Sequence, residues 1–179
     1  MEAFIKVIAK HRDAREASAF DRALIAQSGL EFRASSEIEL VFEESRYGYN
    51  QPYKGRMEFK KHLFRVVGDL EASGEEHECA VAIERNPHVK AWVRNTARQQ
   101  HSFWLQTASD RFYPDFVALL NDGRILVMEY KGAPYFTNDD SREKRVIGDL
   151  WADRSGGKCL FVMIEKMEFT RIDRVIAGG

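Results

Sequence analysis

Two apolar runs separated by a three-residue turn constrain this chain more than any other stretch. The first is Phe112-Tyr113-Pro114-Asp115-Phe116-Val117-Ala118-Leu119-Leu120 and the second Arg124-Ile125-Leu126-Val127-Met128-Glu129-Tyr130-Lys131-Gly132. Both alternate as strands do, and Asn121-Asp122-Gly123 between them is a hairpin signal. With Gly123 in the left-handed position, Leu120 pairs with Arg124. Followed back, that register sets Asp115 opposite Glu129. Lys131 lies two residues on and shares the face of Glu129, because strand side chains repeat with period two.

Opposed carboxylates are unfavourable on their own: directly paired Cβ atoms lie about 4.5–5.5 Å apart, where like charges destabilise a sheet. A divalent cation would remove the conflict. Mg²⁺ in particular takes one or two protein carboxylates, keeps several waters and binds substrate phosphate oxygens. Lys131 would then face a metal-bound water or a phosphate, which points to hydrolysis of phosphodiesters. The same strings also fit a hairpin whose charged ends are simply solvated.

At 179 residues, 44% hydrophobic and 12% aromatic, the chain suits one globular α/β domain with a short appendage. A formal net charge of −1 speaks against a broad basic surface, so contact with DNA would fall to a local patch. Cys79 and Cys159 are far apart and lack metal-ligand spacing; they are expected as buried apolar residues. No signal peptide and no apolar run long enough to span a bilayer is found, which predicts a soluble, cytoplasmic protein without membrane contact.

Along the chain, residues 1–35 are expected as a charged N-terminal helical segment and residues 36–179 as the main domain. Glu37-Ile38-Glu39-Leu40-Val41-Phe42 reads as a strand. Phe59, Leu63, Val66, Val67 and Leu70 recur at helical spacing and predict a helix over residues 57–71. A second helix is expected over 76–85, broken by Asn86-Pro87. Short strands are expected at 89–94 and 102–106, then the hairpin, a helix over 139–153 and a buried strand over 158–164. This order predicts an α/β fold with a central mixed β-sheet flanked by α-helices.

Pro114-Asp115 followed by Glu129-Tyr130-Lys131-Gly132 resembles the core motif of the PD-(D/E)XK nuclease superfamily. Glu78-Cys79-Ala80, the block from Asn86 to Asn95, Ser102-Phe103, the block from Arg111 to Phe116, Asp122-Gly123-Arg124, Glu143-Lys144, Ile147-Gly148 and Leu150-Trp151 resemble, more narrowly, the C-terminal endonuclease region of type III restriction enzyme Res subunits and related DEAD/DEAH-box helicase proteins. The resemblance spans roughly residues 36–165 and implies a restriction-endonuclease-like core. It also implies a Mg²⁺-dependent endodeoxyribonuclease, with Mn²⁺ able to substitute. Asp115 and Glu129 would be metal ligands together with the Tyr130 carbonyl, and Glu78 would be the additional acidic residue, holding metal directly or through water. Lys131 would position the attacking water. Expected partners are double-stranded DNA, a helicase or translocase motor and a modification subunit.

Glu84, two turns beyond Glu78, is a weaker claimant, expected as a solvated helix end. Arg94, Arg98 and Lys144 are candidate phosphate contacts, Lys144 foremost, although each also fits an ordinary solvated charge. Trp92, Trp104 and Trp151 are expected in the core. Ser155-Gly156-Gly157-Lys158-Cys159 is not a phosphate loop, because it leads into a strand, and no helicase motor motif is present. Asp115→Ala is expected to leave thermal stability unchanged or slightly improved, since it removes one of two opposed charges. The alternative function is a catalytically silent DNA-binding or protein-docking module that retains the nuclease fold.

Overall fold

The computed structural model describes Ser45 and residues 47–100, 102–107, 110–132 and 139–178. The expected N-terminal helix, the strand at 37–42 and the domain boundary at 35/36 lie outside the described residues. In chain order the elements are α1 (Glu75–Arg85), β1 (Val89–Arg94), β2 (Leu105–Gln106), β3 (Arg111–Phe112), β4 (Phe116–Leu120), β5 (Ile125–Lys131), α2 (Asp139–Arg154), β6 (Cys159–Glu165) and α3 (Thr170–Ala177).

The turn at 121–123 closes as its composition requires. Gly123 sits at φ +89°, where a side chain would be strained, and Leu120 N donates to Arg124 O at 2.8 Å. β4 and β5 are therefore antiparallel, with Phe116 opposite Met128 and Leu119 opposite Ile125. β6 joins β5 in parallel, pairing Val127 with Phe161 and Lys131 with Glu165. A parallel neighbour needs a long crossover, and α2 lies on it. With β1 antiparallel to β4, the mixed sheet runs β1-β4-β5-β6.

Helices cover both faces, so β4 and β5 read as nearly unbroken apolar runs. On one face Trp92, Phe116, Ala118, Leu126, Met128, Tyr130 and Ile164 pack against Cys79, Ala80 and Ile83 of α1 and Ile172 and Ile176 of α3. On the other, Val93, Val117, Val127, Phe161 and Met163 pack against Ile147 of α2, with Leu105 and Phe112 of the small β2–β3 hairpin. Both cysteines are free and buried. α3 was not foreseen, although Ile172, Val175 and Ile176 recur at helical spacing.

Three expectations need correction. First, the run at 112–120 is not one strand: Arg111 and Phe112 pair with β2, the chain then kinks through Tyr113-Pro114-Asp115, and only Phe116 onward joins the main sheet. Pro114 has no N–H for a ladder, which suits it to this break.

Second, no helix forms over 57–71. The backbone there bonds elsewhere: Leu63 N donates to Trp92 O (2.8 Å) and Trp92 N to Lys61 O (3.0 Å), laying the segment along the outer edge of β1. The apolar residues part company, Val67 and Leu70 entering one core, Phe64 the other, while Leu63 is exposed.

Third, Glu84 is not solvated. Its carboxylate is buried, accepting from Lys60 N (2.8 Å), Lys61 N (3.1 Å) and Trp92 Nε1 (2.8 Å), and so pins that same segment to α1 and β1.

At the other edge, Arg171 Nη1 donates to the Met163 carbonyl of β6 at 3.0 Å, and Arg145 reaches the Glu165 carboxylate. α2 approaches the sheet closely through Gly148, where an added Cβ would stand 2.4 Å from the buried Phe161 ring. Overpacking of this kind costs about 1–3 kcal/mol. Gly148→Ala is expected to lower the urea midpoint of unfolding by a corresponding amount with an unchanged m-value.

Candidate functional site

The β4–β5 register, continued one residue beyond β4, places Asp115 across from Glu129. Glu129 is the charged residue within an otherwise apolar, buried stretch of β5. Its Oε1 lies 2.7 Å from Lys131 Nζ, two residues on and on the same face. Its Oε2 is buried and has no hydrogen-bond partner among the described residues. Burial first, and then the neighbouring Asp115 charge, push the Glu129 carboxyl well above the usual range, while Lys131 and Lys144 pull the other way.

Asp115 is held from two sides. Tyr130 N donates to its Oδ2 at 2.8 Å, and Arg94 Nη1 donates to its Oδ1 at 2.8 Å and to its carbonyl at 2.9 Å. Asn95, which sequence reasoning passed over, fixes the kink before it: Asn95 N donates to Asp115 O at 2.8 Å and Asn95 Nδ2 to Pro114 O at 2.7 Å. Removal of the Asp115 carboxylate would leave Tyr130 N without its acceptor and take from Arg94 its more buried ion-pair partner, which argues against the expectation that Asp115→Ala is harmless to stability.

Glu76, not Glu78, reaches this cluster from α1. Glu76 Oε2 accepts from Arg94 Nη2 at 2.8 Å. Burial and then Asp115 raise its carboxyl above the ordinary value. Glu78 points elsewhere: its carboxylate is half exposed and meets His77 Nδ1 at 3.4 Å. Helical phase could have shown this. Glu76 precedes Cys79, Ala80 and Ile83 by three, four and seven residues, so it continues the helix face that they bury.

Arg94, expected as a phosphate contact, is buried within the site and bonded on both terminal nitrogens. Burial opposes its charge, but Asp115 and Glu76 outweigh that and raise its pKa. Lys144 does lie near the site, close enough to act on Glu129, with Nζ 5.5 Å from the centre of the Phe112 ring. Arg98 is exposed, at φ +62°. Trp92 is in the core as expected and Trp151 packs at its margin. Trp104 is not in the core: it is 39% exposed and carries Arg111 over its ring at 4.3 Å.

Among the described residues no group of three or more His, Cys, Asp or Glu side chains is gathered to hold a metal ion. A Mg²⁺ site does not need such a group, since one or two carboxylates, a carbonyl and retained waters suffice. The donor set fits that smaller demand. Glu129 Oε2 is an uncommitted buried oxygen, and Asp115, with about four lone-pair positions, spends two on Arg94 and Tyr130 N. No family model matches the chain, and no curated protein or solved structure matches it.

The raised carboxyls set a sign for stability against pH. A folded-state pKa above the unfolded one means the native state holds its proton longer. The associated stability is present below the unfolded carboxyl pKa and is lost as pH rises through the folded value. In chelator, the thermal midpoint is expected to fall as pH rises from mildly acidic toward 8. Glu129→Gln should flatten that slope, because the amide does not titrate. A calorimetric pH series on both proteins checks this.

Proposed function

We propose that this chain is a metal-dependent DNA endonuclease domain of the PD-(D/E)XK superfamily, serving as the nuclease module of a type III restriction enzyme-like helicase. The observation that carries the reading is the uncommitted Glu129 oxygen, held out of water beside Lys131 and across the hairpin from Asp115. Buried polar atoms without a partner are rare in folded proteins, and this one is a carboxylate oxygen beside a cation and near a second carboxylate. The mixed sheet with helices on both faces, and with this cluster at the end of its central hairpin, is compatible with a restriction-endonuclease-like core.

In this reading Asp115, Glu129 and the Tyr130 carbonyl hold a Mg²⁺ or Mn²⁺ ion, which supplies Lewis-acid charge and lowers the pKa of bound water. Tyr130 N and Arg94 orient the Asp115 carboxylate. Lys131, fixed by Glu129, faces the attacking water and the charge that develops on the phosphate. Glu78 is left to act, if at all, through water, because its carboxylate turns to His77. Lys144 and Arg98 contribute phosphate contacts, and the exposed Trp104–Arg111 stack offers an aromatic face to a nucleic-acid strand. Double-stranded DNA, a motor and a modification subunit remain the partners the resemblance implies.

The second reading, a silent DNA-binding or docking module, is favoured by one observation: both Asp115 oxygens already have donors. Plasmid cleavage separates the two. With Mn²⁺ or Mg²⁺ the wild type is expected to nick supercoiled DNA, and Lys131→Ala and Asp115→Asn to lose at least about 100-fold in rate, the scale of one electrostatic catalytic group. Circular dichroism should stay native. Undiminished cleavage in both variants would remove the site assignment.

A further inference from the structure

Arg94 does more at this site than orient Asp115. Its side chain is 11% exposed, and each terminal nitrogen lies 2.8 Å from a different carboxylate, Asp115 Oδ1 from the hairpin and Glu76 Oε2 from α1. Nε faces Asp69 O at 3.4 Å, and the Phe116 ring lies 5.0 Å below the guanidinium carbon. Arginine cannot be neutralised in a protein, so this positive charge is permanent. It occupies Asp115 Oδ1, the oxygen that Tyr130 N leaves open.

We infer that Arg94 is a built-in replacement for a second metal ion, and that the site takes one divalent cation and no more. The inference rests on the nuclease reading above and specifies its metal stoichiometry. Around the site the carboxyls of Asp115, Glu129 and Glu76 face Arg94 and Lys131, with Lys144 close to Glu129, so cationic side chains already occupy much of it. One divalent ion adds two positive charges to that set. A second would add two more positive charges beside Arg94, in a partly buried site where such repulsion is poorly screened. The oxygen donors divide in the same way. Glu129 Oε2 is uncommitted, whereas Glu76 Oε2 and Asp115 Oδ1 are taken by the guanidinium.

Mn²⁺ binding to the DNA-free protein, counted by calorimetry and by electron paramagnetic resonance, tests this without reference to activity. The wild type is expected to bind one Mn²⁺ with an uncoupled spectrum. Arg94→Gln, which frees Glu76 and Asp115, should bind two with a coupled spectrum, and Arg94→Lys should return to one. Two ions in the wild type would overturn the inference and leave the nuclease reading standing. One ion in a folded Arg94→Gln protein would do the same. No binding to the wild type would instead sink the metal-dependent reading itself. Should Arg94→Gln lose its native circular dichroism, the spectra of the wild type and Arg94→Lys decide: uncoupled signals at saturation support the inference and a coupled pair in either overturns it.

Discussion

The Arg94 guanidinium ties together three parts of the chain at this point. It reaches the Asp69 carbonyl in the loop, Glu76 at the start of α1, and the carboxylate and carbonyl of Asp115 where the chain enters β4. The two arms are not equal. Glu76 is half exposed, and an ion pair in that setting contributes little. The Asp115 arm is largely buried, and breaking such a pair from one side costs about 3–5 kcal/mol, because the remaining charge cannot return to water. The Asp115 bond therefore dominates, and Glu76 chiefly sets the angle at which α1 approaches the sheet end.

The location of the cluster follows from how the hairpin is covered. β4 and β5 are sealed by helices over their middles, where only apolar side chains are tolerated. Charge becomes affordable toward the last residues of β5 and the kink before β4, where the packing thins. Glu129 stands just inside that margin: close enough to the surface for Lys131 to reach it, too deep for water to satisfy its second oxygen. Catalytic carboxylates in general need that intermediate position, since a fully wet group binds cations weakly and a fully dry one stays protonated.

The hairpin was legible in the sequence because it is a local object. Asn121-Asp122-Gly123 and the alternation on either side determine its register, and the register brings Asp115 and Glu129 face to face. What could not be read depended on distant partners. Phe59, Leu63, Val66, Val67 and Leu70 have helical spacing, yet β1 supplies competing backbone bonds and Glu84 fastens the segment from α1. Arg94 looked like one solvated charge among many, because nothing local announces that Asp115 and Glu76 converge on it. Glu76 was within reach, since its phase on α1 matched Cys79, Ala80 and Ile83, and the motif drew attention to Glu78 instead. The strand and helix expected before residue 45 fall outside the described residues.

The hydrogen bond from Arg171 to the Met163 carbonyl bears on how this protein behaves in company. Among the described residues β6 ends the sheet, and a bare terminal strand is a template on which another polypeptide can lay down a matching one. Here a side chain from the following helix answers the middle carbonyl of that strand, while Arg145 lies across Glu165 beside it. At the opposite margin the segment through Lys61 and Leu63 answers Trp92. Among the described residues, both margins of the sheet thus have some of their backbone groups answered from within the chain.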